Sequence, residues 1–149
     1  MNFNNLEGFI FLDDQLVKWS EAKLHVLSHG LHYASSVFEG ERVYQGKVFK
    51  EEQHTLRLIS SAKSLGFEIP YDIKEISEIR KKVLKANNIT DGYIRPVSWR
   101  GSEMMGISAQ KNKIHFALAA WKWPSYFSPE AKLRGIKLNI SKWRRPDPK

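Results

Sequence analysis

Several residues in this 149-residue chain have side chains suited to holding a ligand, and their spacing decides which chemistry is open to them. Arg57 presents a fixed fork of N–H donors that suits phosphate or carboxylate; the competing reading is a solvated arginine with its stem packed down. Tyr93 and Arg95, two residues apart, put a phenol and a cation on one side of any extended segment, or simply leave a half-exposed strand with a partly solvated arginine. Phe38 and Gly40 stand in the same relation, and a glycine inside a strand marks a bulge, room for packing, or the close approach of a ligand or another backbone. His25, His29 and His32 crowd together; on a helix His25 and His29 would share a face as metal ligands do, but no carboxylate is placed to complete the set.

The elements that must position these residues follow from periodicity and turn chemistry. Residues 8–19 read as a hairpin turning at Asp13-Asp14, at the edge of a sheet. If 37–44 is extended, Phe38, Gly40, Arg42 and Tyr44 share one side while Val37, Glu39, Glu41 and Val43 share the other; Gln45-Gly46 turns the chain into a partner strand at 47–49. From Glu51 to about Leu65 a helix is predicted with Leu58, Ile59, Ala62 and Leu65 inward and Arg57 near the stripe's edge, ended by Gly66. A second helix opens on an Asp72–Glu75 capping box, buries Ile73, Ile76, Ile79, Val83 and Leu84, and closes at Asn87-Asn88. Residues 93–100 form a strand with Tyr93, Arg95, Val97 and Trp99 on one face, and Pro96 assigns it to an edge or to a local irregularity. A loop at 101–113 leads into a buried strand at 114–121, then an aromatic run from Trp121 to Tyr126, and one more strand at 135–140.

The run Tyr33-Ala34-Ser35-Ser36-Val37-Phe38-Glu39-Gly40-Glu41-Arg42, with His54-Thr55-Leu56-Arg57-Leu58 and Gly92-Tyr93-Ile94-Arg95-Pro96, resembles the branched-chain aminotransferases, fold-type IV enzymes that use pyridoxal 5'-phosphate. The resemblance covers nearly the whole chain. It implies an α+β fold, a twisted and mainly antiparallel sheet packed with two helices, in which residues 1–128 are the small N-terminal domain and 129–149 an interdomain connection entering a large one. It implies that Arg57 binds the cofactor phosphate, that Tyr93 and Arg95 handle the carboxylates of amino and 2-oxo acids, and that Tyr33, Phe38 and Tyr126 line the substrate pocket while Gly40 leaves room beside it. Ile107 in the 101–113 loop would wall the side-chain pocket of a neighbouring subunit, in a homodimer or higher homo-oligomer. The lysine that forms a Schiff base with the cofactor lies, in the family, beyond the segment matching 144–149; no catalytic residue falls within this chain, and the fragment is expected to bind cofactor weakly or not at all.

Composition bounds the alternatives. A content of 42% hydrophobic residues suits a folded domain, and the lack of cysteine excludes disulfides and thiolate chemistry. No run approaches the ~18 apolar residues of a membrane span, and the first five residues lack a charged leader, so the expected location is cytoplasmic. The net charge of +8 and the 121–126 aromatics would permit nucleic-acid binding, but the basic residues are scattered, with no continuous stripe interleaved with aromatics. Within the same fold, a D-amino-acid aminotransferase or an aminodeoxychorismate lyase would share this scaffold.

Overall fold

The computed structural model describes residues 2–124 and 127–147. Asp13 and Asp14 both take positive φ, 39° and 69°, the geometry of a tight hairpin, and join β1 (Phe9–Leu12) to β2 (Gln15–Lys18). After a short helix α1 (His29–Tyr33) come β3 (Ser36–Phe38) and β4 (Glu41–Tyr44), and Gln45-Gly46, again at positive φ, turns the chain into β5 (Lys47–Val48). Helices α2 (Glu51–Ser64) and α3 (Ile73–Ala86) precede the two long strands β6 (Gly92–Arg100) and β7 (Ile114–Trp121), and α4 (Pro129–Arg134) follows. The strands form one sheet in the order β2-β1-β7-β6-β4-β5, with β3 also paired to β6, and every pairing is antiparallel. This is the α+β architecture expected from the sequence, and the first hairpin does edge the sheet.

Local signals set both long helices. Asp72 accepts the Glu75 backbone N–H at 2.8 Å while the Glu75 carboxylate accepts that of Asp72 at 2.7 Å, closing the predicted capping box. Gly66 adopts φ 71° just past α2, where a side chain would be strained, and lets the Phe67 N–H reach the Ala62 carbonyl at 3.1 Å. Both helices cover one face of the sheet. There Leu58, Ala62, Ile76, Ile79 and Val83 meet Phe11, Val37, Val43, Ile94, Phe116 and Leu118 in a single core. The predicted stripes overreach at their ends, since Leu65 and Ile73 are exposed.

The middle of the sheet carries an interruption that places the site. β6 lies between β7 on one side and β3 followed by β4 on the other, so Pro96 is interior and the edge position allowed for it is not the one found. The irregularity is real. The Pro96 carbonyl accepts the Glu39 N–H at 3.1 Å, which directs the donor-less proline nitrogen toward the same side and opens the ladder at Glu39-Gly40. No residue is inserted: Phe38 pairs with Val97 and Glu41 with Ile94 in one continuous register. The predicted alternation therefore survives the break, with Val37, Glu39, Glu41 and Val43 buried on the helix-covered face and Phe38, Arg42 and Tyr44 on the other.

Two other expectations change. Residues 135–140 do not form a strand: Gly135 caps α4, and Ile136, Leu138 and Ile140 are exposed, an alternation with no strand among the described residues beside it to supply ladder partners. The histidine segment, which the resemblance assigns to a loop, contains α1. No helix among the described residues is long and apolar enough to cross a membrane.

Candidate functional site

The open face of β6 carries the first half of the site. The Arg95 Nη2 donates to the Tyr93 hydroxyl at 2.8 Å, its guanidinium lies 4.3 Å above the Phe38 ring, and its Nε is buried without a hydrogen-bond partner. Gly40 faces Arg95 across the proline break, and a Cβ there would overlap the Tyr93 hydroxyl, so the glycine makes room for a close approach and not for a bulge. Trp121 stands opposite Tyr93 in the register, and the rings of Trp121 and Trp123 lie 5.0 and 4.7 Å from the phenol. From the other side the N-terminal turn packs Phe3 edge-on to Trp121 at 5.3 Å, and Trp19 donates its indole N–H to the Phe3 carbonyl at 2.7 Å. Arg42, Tyr93, Arg95, Trp123, Phe127 and Lys132 line an open cavity of about 560 Å³ with three cations on its wall. Such a wall attracts an anion, and the unpartnered Arg95 Nε leaves this guanidinium with donor capacity to spare.

Arg57 is on the opposite face. Of the three residues expected to take anions, Tyr93 and Arg95 come together, and Arg57 is held apart from them by Glu39. The Nε and Nη2 of Arg57 donate to the two oxygens of Glu39 at 2.6 and 2.5 Å, and His54 Nδ1 shares the second oxygen at 2.8 Å. The carboxylate side chain is 6% exposed and the Arg57 side chain 66%, so the pair presents its cation outward. Burial pushes the Glu39 carboxyl up, but the bonds from Arg57 and His54 and their charges outweigh it and hold it below the usual carboxylate range. The same bond raises the Arg57 guanidinium further above its already high value. The physical reason for the separation is the strand: Glu39 and Gly40 are adjacent, so their side-chain directions oppose, and α2 lies over the Glu39 side.

The remaining candidates divide between places. Tyr33 stacks on His29 at 4.4 Å and donates to the Met105 carbonyl at 3.1 Å; with the fully exposed Ile107 it lines a separate cavity of about 350 Å³. Tyr126 lies outside the described residues. The histidines do not converge: His25 accepts the Leu27 N–H, His29 bonds Ser35 and the Gly106 carbonyl, and His32 bonds the Val26 carbonyl. Sequence reasoning passed over Arg42 and Lys132 as cavity cations and over Glu39 and His54 as partners of Arg57. Two glutamates on the inward side of an alternating strand were the available signal, because buried carboxylates demand cations.

The donors gathered here are guanidinium, phenol and indole groups, suited to an anion with an aromatic or apolar body; among the described residues no three His, Asp or Glu side chains group as metal ligands do. The profile of the family described as amino-transferase class IV matches residues 36–149. The chain belongs to that family. A probable branched-chain-amino-acid aminotransferase of Rickettsia conorii is 45% identical over 139 residues, 93% of this chain and 47% of that protein. The branched-chain amino acid aminotransferase structure from Escherichia coli superposes with a TM-score of 0.85 at 34% identity, covering 96% of this chain and 47% of that one. The T.th. branched-chain amino acid aminotransferase with pyridoxamine 5'-phosphate gives 0.78 at 38% identity, over 85% and 43%. This class IV amino-transferase chain thus spans about half the length of the curated relatives it matches. The family match takes in Phe38, Gly40, Arg57, Tyr93 and Arg95 and begins after Tyr33.

Proposed function

We propose that this chain is the N-terminal part of a branched-chain amino acid aminotransferase that transfers amino groups from leucine, isoleucine or valine to 2-oxoglutarate with pyridoxal 5'-phosphate. The observation that carries the reading is the Tyr93–Arg95 pair set against Gly40, with a buried Arg95 Nε still to be satisfied, in a chain 45% identical to a probable branched-chain-amino-acid aminotransferase. Residues 1–128 are the small domain and 129–149 the connection to a large one, a division supported by the packed core ending before α4. The cofactor, when bound, supplies the carbonyl that takes up the amino group and a ring that withdraws electrons from the substrate α-carbon.

The residues of this chain bind and orient. Arg57 takes the phosphate, and its fit is supported by a guanidinium that commits Nε and Nη2 to Glu39 while standing two-thirds exposed. Arg95 and the Tyr93 hydroxyl hold substrate carboxylates, fixed by their mutual bond and by Phe38 beneath, so that little orientation is lost on binding. Gly40 keeps the space beside them open. Tyr33 and Ile107 stand apart from this cluster, which suits the part assigned to them in a neighbouring subunit of a homodimer. No catalytic proton carrier is assigned within the chain, and with one exposed arginine for the phosphate the isolated chain binds cofactor weakly or not at all.

The test supplies the full-length protein with leucine and 2-oxoglutarate and measures glutamate. Turnover that is lost in R95A and rises in KM in Y93F is expected. Activity on D-alanine without activity on leucine would overturn the substrate assignment.

A further inference from the structure

We infer that Glu39, buttressed by His54, is a positioning residue that presets the Arg57 guanidinium for a phosphate; the inference rests on the reading of Arg57 given above. An exposed arginine samples many rotamers, and ordering it on binding costs affinity. Here the ordering is done in advance. Glu39 is itself fixed by four contacts: two bonds from Arg57, one from His54 Nδ1, and its own backbone N–H on the Pro96 carbonyl. Its carboxylate engages the Nε–Nη2 edge of the fork, which sets the plane of the guanidinium and turns Nη1 away from the buried carboxylate.

A negative charge beside an anion site also repels, and the question is which effect is larger. Glu39 is buried, but the guanidinium it holds is 66% exposed, so water and salt screen the repulsion between carboxylate and incoming phosphate. Rotamer entropy is not screened. Orientation therefore dominates, and losing it weakens phosphate binding.

The experiment measures equilibrium binding of pyridoxamine 5'-phosphate and of pyridoxamine, which lacks the phosphate, to the full-length protein and to E39Q, H54Q, R57A and E39Q/R57A. E39Q should weaken binding of the phosphorylated ligand about three- to tenfold, the cost of freeing one long side chain, and leave pyridoxamine binding unchanged. In the R57A background E39Q should add nothing, since a residue acting through Arg57 has nothing left to act on. H54Q should shift the phosphate preference in the same direction by less, and it supplies the answer if E39Q does not fold. Tighter phosphate binding in E39Q would show that Glu39 competes with the ligand, and equal losses for both ligands would show a purely structural role; either overturns the inference. If R57A itself keeps the full preference for the phosphorylated ligand, the assignment of Arg57 fails first and the two failures are told apart.

Discussion

Two arginine–glutamate pairs leave the same stretch of strand, on the same face, two residues apart, and they differ in one respect. Glu41 receives Nε and Nη2 of Arg80 from α3 at 2.7 and 2.6 Å, the same two-bond geometry by which Glu39 receives Arg57 from α2. The Arg80 side chain is 1% exposed and that of Arg57 66%. Burial alone separates a sealed clamp from a cation open to solvent. The Arg80 pair is sealed in the core, with Glu51 3.8 Å from its remaining nitrogen, too far for a hydrogen bond but near enough to share charge. Nothing from solvent can reach it, so its role is to hold α3 on β4 just past the Pro96 break.

The largest effect should come from breaking the sealed pair. R80A or E41A leaves an unpaired buried charge and should cost about 3–5 kcal/mol in urea unfolding, while the double change to apolar residues of similar volume should recover most of it. A pair of single variants as stable as the parent would remove the contrast. On the other face, G40A should push the Tyr93 phenol off Arg95; overpacking of this kind costs about 1–3 kcal/mol, and KM for carboxylate substrates should rise more than kcat falls.

A third carboxylate sharpens the scale between the extremes. Asp13, with 22% of its side chain exposed, pairs with His115 at 2.5 Å and accepts the Phe116 N–H at 3.0 Å. Burial pushes its carboxyl up, yet the Phe116 bond, the His115 bond and charge, and the Lys113 charge together hold it below its ordinary 3.8. A carboxyl lowered on folding gives stability that is complete above its unfolded value and lost as pH falls through the folded one. D13N should therefore cost about 1 kcal/mol at neutral pH and flatten the acid limb of a stability profile below pH 3.8. The exposed member should cost less than the sealed one: R57A leaves the 6% exposed Glu39 carboxylate to His54 alone, so the thermal midpoint should fall by less than in R80A while the phosphate preference is abolished. A large midpoint shift would make Arg57 a second clamp.

How far the letters carried is explained by the range of each interaction. Both hairpin turns, α2 and α3 rest on contacts a few residues apart, and β6 and β7 show their alternation within the strand itself, so Asp13-Asp14, the Asp72–Glu75 box and the alternation around Arg95 were readable. Tyr93 and Arg95 shared one face by simple parity, as did Phe38 and Gly40 on their own strand; that the two pairs meet is seen only in the structure. Arg57 was harder, because a helix position at a stripe's edge does not say which way the helix is turned, and Glu39 lies 18 residues earlier. Glu41 and Arg80 are 39 apart, and neither periodicity nor propensity links them. Pro96 was read as marking an edge or a local irregularity, and it is the second: the neighbouring strand accommodates it by leaving Glu39-Gly40 out of the ladder. Residues 135–140 show the converse: a strand pattern is only half of a strand when, as among the described residues here, no neighbour lies alongside.

The rings of Trp121 and Trp123, both within about 5 Å of the Tyr93 phenol, give the Tyr93–Arg95 cluster a built-in optical reporter. Excited tyrosine passes its energy to indole over such distances, so emission from these two tryptophans registers any tilt of Tyr93. Because Phe3 presses on Trp121, an extension fused ahead of residue 3 would alter that signal as well, and a tag there becomes an experimental variable instead of a neutral handle.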